Sequence, residues 1–73
     1  MKGKNILDDA LFEARPYVEY WDRLKELVEK LWEESTDEKN FIELINEEME
    51  RADEPFKTDL RIFLQKFAAL ISE

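Results

Sequence analysis

The chain has no histidine and no cysteine among its 73 residues. Without histidine it lacks the side chain that titrates nearest neutrality, and with it most general acid–base and imidazole–metal chemistry. Without cysteine there are no disulfides, thiolate metal sites or sulfur nucleophiles, a composition that suits a reducing compartment. The one glycine, Gly3, lies in the N-terminal tail, so no glycine-rich loop is available to cradle a phosphate. No apolar run approaches the ~20 residues of a membrane span, and the start of the chain lacks a signal-peptide pattern. A soluble, cytoplasmic protein that uses no cofactor is the expectation. No strand pattern, linker or low-complexity tract interrupts the chain, and its length suits one domain, residues 1–73, near the lower limit of a self-sufficient core.

Acid is what the chain has in excess. The formal charge is −8, and residues 37–54 alone sum to −6 while 55–73 sum to +1. Such a surface repels nucleic acid backbones and anionic lipid and attracts basic protein surfaces, so neither direct nucleic acid binding nor membrane binding is expected. Disorder is not expected either, because 44% hydrophobic residues, including nine aromatics, is too many for an unfolded acidic chain.

The apolar spacing predicts an all-α fold, a small antiparallel bundle of three long helices plus a short N-terminal helix. The short helix spans about 6–14, with Asn5 as its cap, Asp8 and Asp9 in its first turn, and Ile6, Leu7, Ala10, Leu11 and Ala14 on its apolar face. Pro16 disfavours helical geometry at Arg15 and suits the first position of a second helix, 16–34. That helix carries Tyr17, Tyr20, Trp21, Leu24, Leu27, Val28, Leu31 and Trp32 in one stripe. Ser35, in a capping box with Glu38, or Thr36 in its place, opens a third helix, 36–52, which buries Phe41, Ile42, Ile45, Met49 and Ala52. Pro55 opens the fourth, 55–71, with Phe56, Leu60, Phe63, Leu64, Phe67, Leu70 and Ile71 inward. The joints are short enough to make successive helices antiparallel neighbours.

Two sets of carboxylates share one spacing. Asp22, Glu26, Glu29 and Glu33 stand at i, i+4, i+7 and i+11, and Glu43, Glu47, Glu50 and Glu54 repeat the pattern 21 residues later. On a helix each set falls within about 60° of arc, opposite the apolar stripe. Basic residues at i±3 or i±4, as in Glu19–Arg23, Glu26–Lys30 and Glu47–Arg51, flank the ridges and leave their centres acidic. A plain solvated face explains the charge, since outer faces of amphipathic helices are usually charged. It does not explain the sorting, because like charges four apart are mildly destabilising. The sorting points to a module that occludes a basic surface of a partner protein, as an inhibitor, immunity protein, antitoxin or nucleic-acid mimic would. Glu43, Glu47, Glu50 and Glu54 lead the candidates, where the charge excess is larger.

The fourth helix suggests a different surface. Ile62 and Ala69 lie opposite its main stripe, and Trp32 and Phe12 lie at the margins of theirs. These four are the candidates for a homodimer seam, under a second reading in which the protein is a structural or assembly subunit. Glu26-x-x-Glu29, followed after 20 residues by Glu50-x-x-Asp53, loosely resembles the metal-binding signature of all-α nucleotide pyrophosphohydrolases of the MazG type. The resemblance implies Mg²⁺ held with nucleotide phosphates between facing helices. The helical wheels turn Glu26, Glu29 and Glu50 toward solvent, the chain is short for the extra helix of those enzymes, and no basic cluster is left for phosphate. The expectation is therefore a protein that is not an enzyme.

Overall fold

The computed structural model describes residues 4–72, which form four helices and no strand. Helix α1 runs Lys4–Ala14, α2 Trp21–Glu34, α3 Glu38–Arg51 and α4 Phe56–Ile71. The all-α bundle predicted from the spacing is the fold found. One continuous core joins all four helices through Leu7, Ala10, Leu11, Ala14, Leu24, Val28, Leu31, Trp32, Phe41, Ile45, Phe56, Leu60, Phe63 and Phe67. Four aromatic rings form its centre. Trp32 meets Phe41 edge-on at 5.1 Å, Phe41 meets Phe67 at 5.0 Å, and Phe63 stacks on Phe67 at 5.9 Å. Such pairs contribute ~0.5–1.5 kcal/mol each beyond the area they bury. Trp32 and Phe41 stand near the joint between α2 and α3, while Phe41 also reaches Phe63 and Phe67 late in α4, so both pairs of neighbours run antiparallel. Helix α1 packs chiefly along α4.

Helices α1, α2 and α4 end at Ala14, Glu34 and Ile71 as expected, while the helix starts and the end of α3 differ in detail. Asn5 lies inside α1, and Asp8 and Asp9 fall beyond its first turn. The break at Pro16 is present: α1 stops at Ala14 and tightens into a 3₁₀ turn over Arg15–Tyr17. The second helix does not resume there. Val18 is extended, and α2 begins only at Trp21, with Tyr20 in the capping position. The cap of α3 is Asp37 rather than Ser35 or Thr36. Its Oδ1 accepts from the Asn40 backbone N–H at 2.7 Å, while Asn40 Oδ1 accepts from the Thr36 N–H at 3.0 Å. A variant of the capping box therefore forms, with Asn in the place of Glu and its side chain reaching the N–H of Thr36, one residue before the cap. Ser35 instead closes α2: it is buried, and its hydroxyl donates to the Trp32 carbonyl at 2.7 Å.

The late start of α2 has a tertiary cause. Asp59, on the inner side of α4 and only 2% exposed, accepts from the backbone N–H groups of Glu19 at 3.1 Å and Tyr20 at 2.9 Å. The carboxylate lies 39 positions along the chain from Tyr20 and satisfies donors just ahead of α2. This clamp pins residues 18–20 in a non-helical path over α4. Tyr17 and Tyr20, expected in the core, are consequently 64% and 47% exposed.

Candidate functional site

The amphipathic stripes that bury Leu24, Val28 and Leu31 on α2, and Phe41 and Ile45 on α3, leave the opposite faces to solvent. Asp22, Glu26 and Glu33 are exposed on α2, and Glu43, Glu47 and Glu50 are exposed on α3. Glu29 is half-buried and lies 3.6 Å from Lys25 Nζ. Glu54 leaves the set. Helix α3 has already ended at Arg51, and the Glu54 carboxylate turns to α4, accepting from the Thr58 N–H at 2.9 Å and the Thr58 hydroxyl at 2.6 Å. The hydroxyl bond holds the Glu54 carboxyl below the ordinary glutamate range, with the Thr58 N–H and the charges of Arg61 and Lys57 acting in the same direction. Its task is at a helix end, which is why the i+11 spacing misplaced it.

Of the three ion pairs expected within helices, one forms. Arg51 lies 3.7 Å from Glu47 and 3.9 Å from Glu48, all on one helix surface. Glu19 precedes α2, so it has no helical i,i+4 relation to Arg23. Glu26 and Lys30 do not close to ion-pair distance, and instead both line a groove of about 390 Å³ where α2 and α3 meet. Arg23 and Leu27 also line it from α2, Glu48 and Arg51 from α3, and Ala52 and Phe56 from the α3–α4 joint and the start of α4. The Arg23 guanidinium lies over the Phe56 ring, 3.9 Å from its centroid. The acidic surface is thus divided. Cations that flank the ridges in sequence converge in space between the two helices, because antiparallel packing brings position 51 of α3 beside positions 23–30 of α2.

The carboxylates do not gather into a metal centre: among the described residues, no group of three or more carboxylates is placed to hold a cation. Glu26 lies in the α2–α3 groove, and Glu50 and Asp53 are both exposed.

The four seam candidates also separate. Trp32 is 5% exposed and fully engaged with Phe41 and Phe67, so it belongs to the core and to no surface. Phe12 is 75% exposed on α1, and Ala69 is exposed on α4. Ile62 is half-buried and lines a shallow depression of about 230 Å³ with Tyr17, Gln65 and Lys66, where the Lys66 ammonium stands 5.1 Å from the Tyr17 ring. Of the exposed aromatics, Phe12 is among the seam candidates of the sequence, whereas Tyr17 and Tyr20 are expected in the core and lie exposed instead. The clamp residue Asp59 was missed too, although one signal was available: it stands three after Phe56 and four before Phe63, inside an apolar stripe where an acid needs a buried partner.

Residues 4–72 match the model of the MJ1579 family, and the chain belongs to that family. No curated protein and no solved structure matches it. No helix among the described residues is long and apolar enough to cross a membrane.

Proposed function

We propose that this protein is a small acidic binding module that docks the outer faces of α2 and α3 on a basic surface of a partner protein and occludes it, as an inhibitor, immunity protein, antitoxin or nucleic-acid mimic does. The observation that supports this reading is the state of the α3 carboxylates. Glu43, Glu47 and Glu50 are all exposed, and of these three only Glu47 has a cation of the described residues within ion-pair distance. Successive members of such a row stand ~5–6 Å apart, close enough to engage several cations of one surface. A row of this kind steers association over distances set by ionic strength, and contacts at the rim then set the lifetime of the complex.

The test is affinity capture from host lysate beside a Glu43→Gln, Glu47→Gln, Glu50→Gln variant of unchanged helicity. A basic protein held by the wild type, released by salt and lost with the variant is the expected result. Identical capture by both, or none by either, would reduce the ridge to a solvated face.

A specific observation also favours self-association. The large exposed hydrophobics among the described residues, Phe12, Tyr17 and Tyr20, all fall between positions 12 and 20, and Tyr17 adjoins Ile62. Under this reading Ile62→Glu lowers the sedimentation mass, and the carboxylate changes leave it unaltered.

A further inference from the structure

The groove between α2 and α3 has a composition that the acidic surface around it does not. Its lining brings together Arg23, Lys30 and Arg51 with Glu26 and Glu48, beside the apolar Leu27, Ala52 and Phe56. We infer that this groove is a binding site for a monocarboxylate that carries a bulky apolar group.

Three features specify that ligand. First, the lining charges sum to +1 in a chain whose total is −8, so the groove is a local reversal of sign. A single negative charge is matched there. A phosphate dianion or a polyphosphate meets two lining carboxylates and an acidic exterior. Second, Arg23 and Lys30 have no carboxylate within ion-pair distance among the described residues, and Arg51 has only the two long contacts to its own helix. Arg23 is nevertheless held in place, because Phe56 occupies one face of its guanidinium. A guanidinium covered on its face presents its N–H edge, the geometry that takes a carboxylate through two parallel hydrogen bonds. Third, Leu27 and Ala52 are only half-buried, so the groove lining offers apolar surface beside the cations. A volume of about 390 Å³ falls within the size of small-molecule and side-chain pockets. The inference does not rest on the docking reading, which stands on Glu43, Glu47 and Glu50, although Glu26 of the α2 ridge lines the groove and Arg51 contacts Glu47.

The same chemistry occurs at the C-terminal residue of a peptide and in a free apolar amino acid, and the probes distinguish them. Full-length ¹⁵N-labelled protein is titrated with N-acetylphenylalanine, with its uncharged amide, with free phenylalanine and with inorganic phosphate, following arginine Nε–H and backbone signals. N-acetylphenylalanine is expected to move the signals of Arg23, Leu27, Lys30 and Arg51 saturably. The amide should bind at least about tenfold more weakly, the loss that one charge-assisted hydrogen bond implies. Free phenylalanine binding more tightly than the acetylated acid would assign the site to free amino acids, with Glu26 or Glu48 taking the ammonium. Weaker binding would assign it to peptide termini. Arg23→Gln and Arg51→Gln should each lose at least about tenfold, while Glu48→Gln, which removes a lining negative charge, should tighten binding. Because Arg23→Gln uncovers Phe56, Arg23→Lys serves beside it, keeping charge and stem but not the fork. It should bind more weakly than the wild type at unchanged helicity. The inference fails if acid and amide act alike, if phosphate alone moves the signals, if no probe does, or if folded Arg23→Gln and Arg51→Gln bind as the wild type.

Discussion

The joint between α2 and α3 and the joint between α1 and α2 solve the same problem in opposite ways. At the first, every group used is local: Ser35 closes α2 on the Trp32 carbonyl, and Asp37 and Asn40 open α3 within four residues. At the second, the groups that end the irregular stretch come from across the molecule, through the buried Asp59 of α4. A local joint can form as soon as its two helices do. A clamped joint exists only when α4 is already packed, so the path of residues 18–20 reports on the whole bundle.

The largest effect that would break this contrast lies in the core both regions share. Phe41→Ala empties the centre of the aromatic cluster and should cost about 3–5 kcal/mol, read from urea unfolding by circular dichroism. Asp59→Ala comes next. It strands two backbone donors of Glu19 and Tyr20 and should cost about 2–3 kcal/mol, with amide exchange at those two positions accelerating more than at Asn40. Equal acceleration at both joints would erase the distinction between them. Asp37→Ala removes one local cap and should cost about 1 kcal/mol, with protection lost first at the start of α3. Neutralising Glu43, Glu47 and Glu50 together should change stability least, within about 0.5 kcal/mol in either direction, because these side chains face water.

A titration sharpens the comparison at the third joint. Glu54 serves α4 through Thr58, and that bond depresses its folded-state pKa. A depressed carboxylate stabilises the fold above the unfolded glutamate pKa, and that contribution is lost as pH falls through the folded value. By carbon-detected NMR, Glu54 should therefore titrate below the ordinary glutamate range, and Thr58→Val should return it toward that range.

The helices were legible because a stripe such as Leu24, Val28 and Leu31 repeats with the helical period, and because Pro16 and Pro55 sit where helical hydrogen bonding has to stop. Trp32 and Tyr20 were harder. Both stand at the edge of the same stripe, yet one is the hub of the core and the other lies exposed. Periodicity ranks positions around one helix but says nothing of which neighbour arrives to cover them. The surface follows the same division. That Glu43, Glu47 and Glu50 face water follows from their angle to the core stripe. That Arg23, Lys30 and Arg51 share one groove follows from the packing of α2 on α3.

By itself, then, the order of residues determined four helices, their apolar faces, the breaks at the two prolines and the sign of the outer charge, since each depends on groups a few positions apart. Only the tertiary structure decided that α2 starts at Trp21, that Glu54 belongs to α4 and that cations meet within an acidic surface. Those outcomes rest on contacts between distant segments and on competition among nearby capping groups, and both are resolved only when the helices pack.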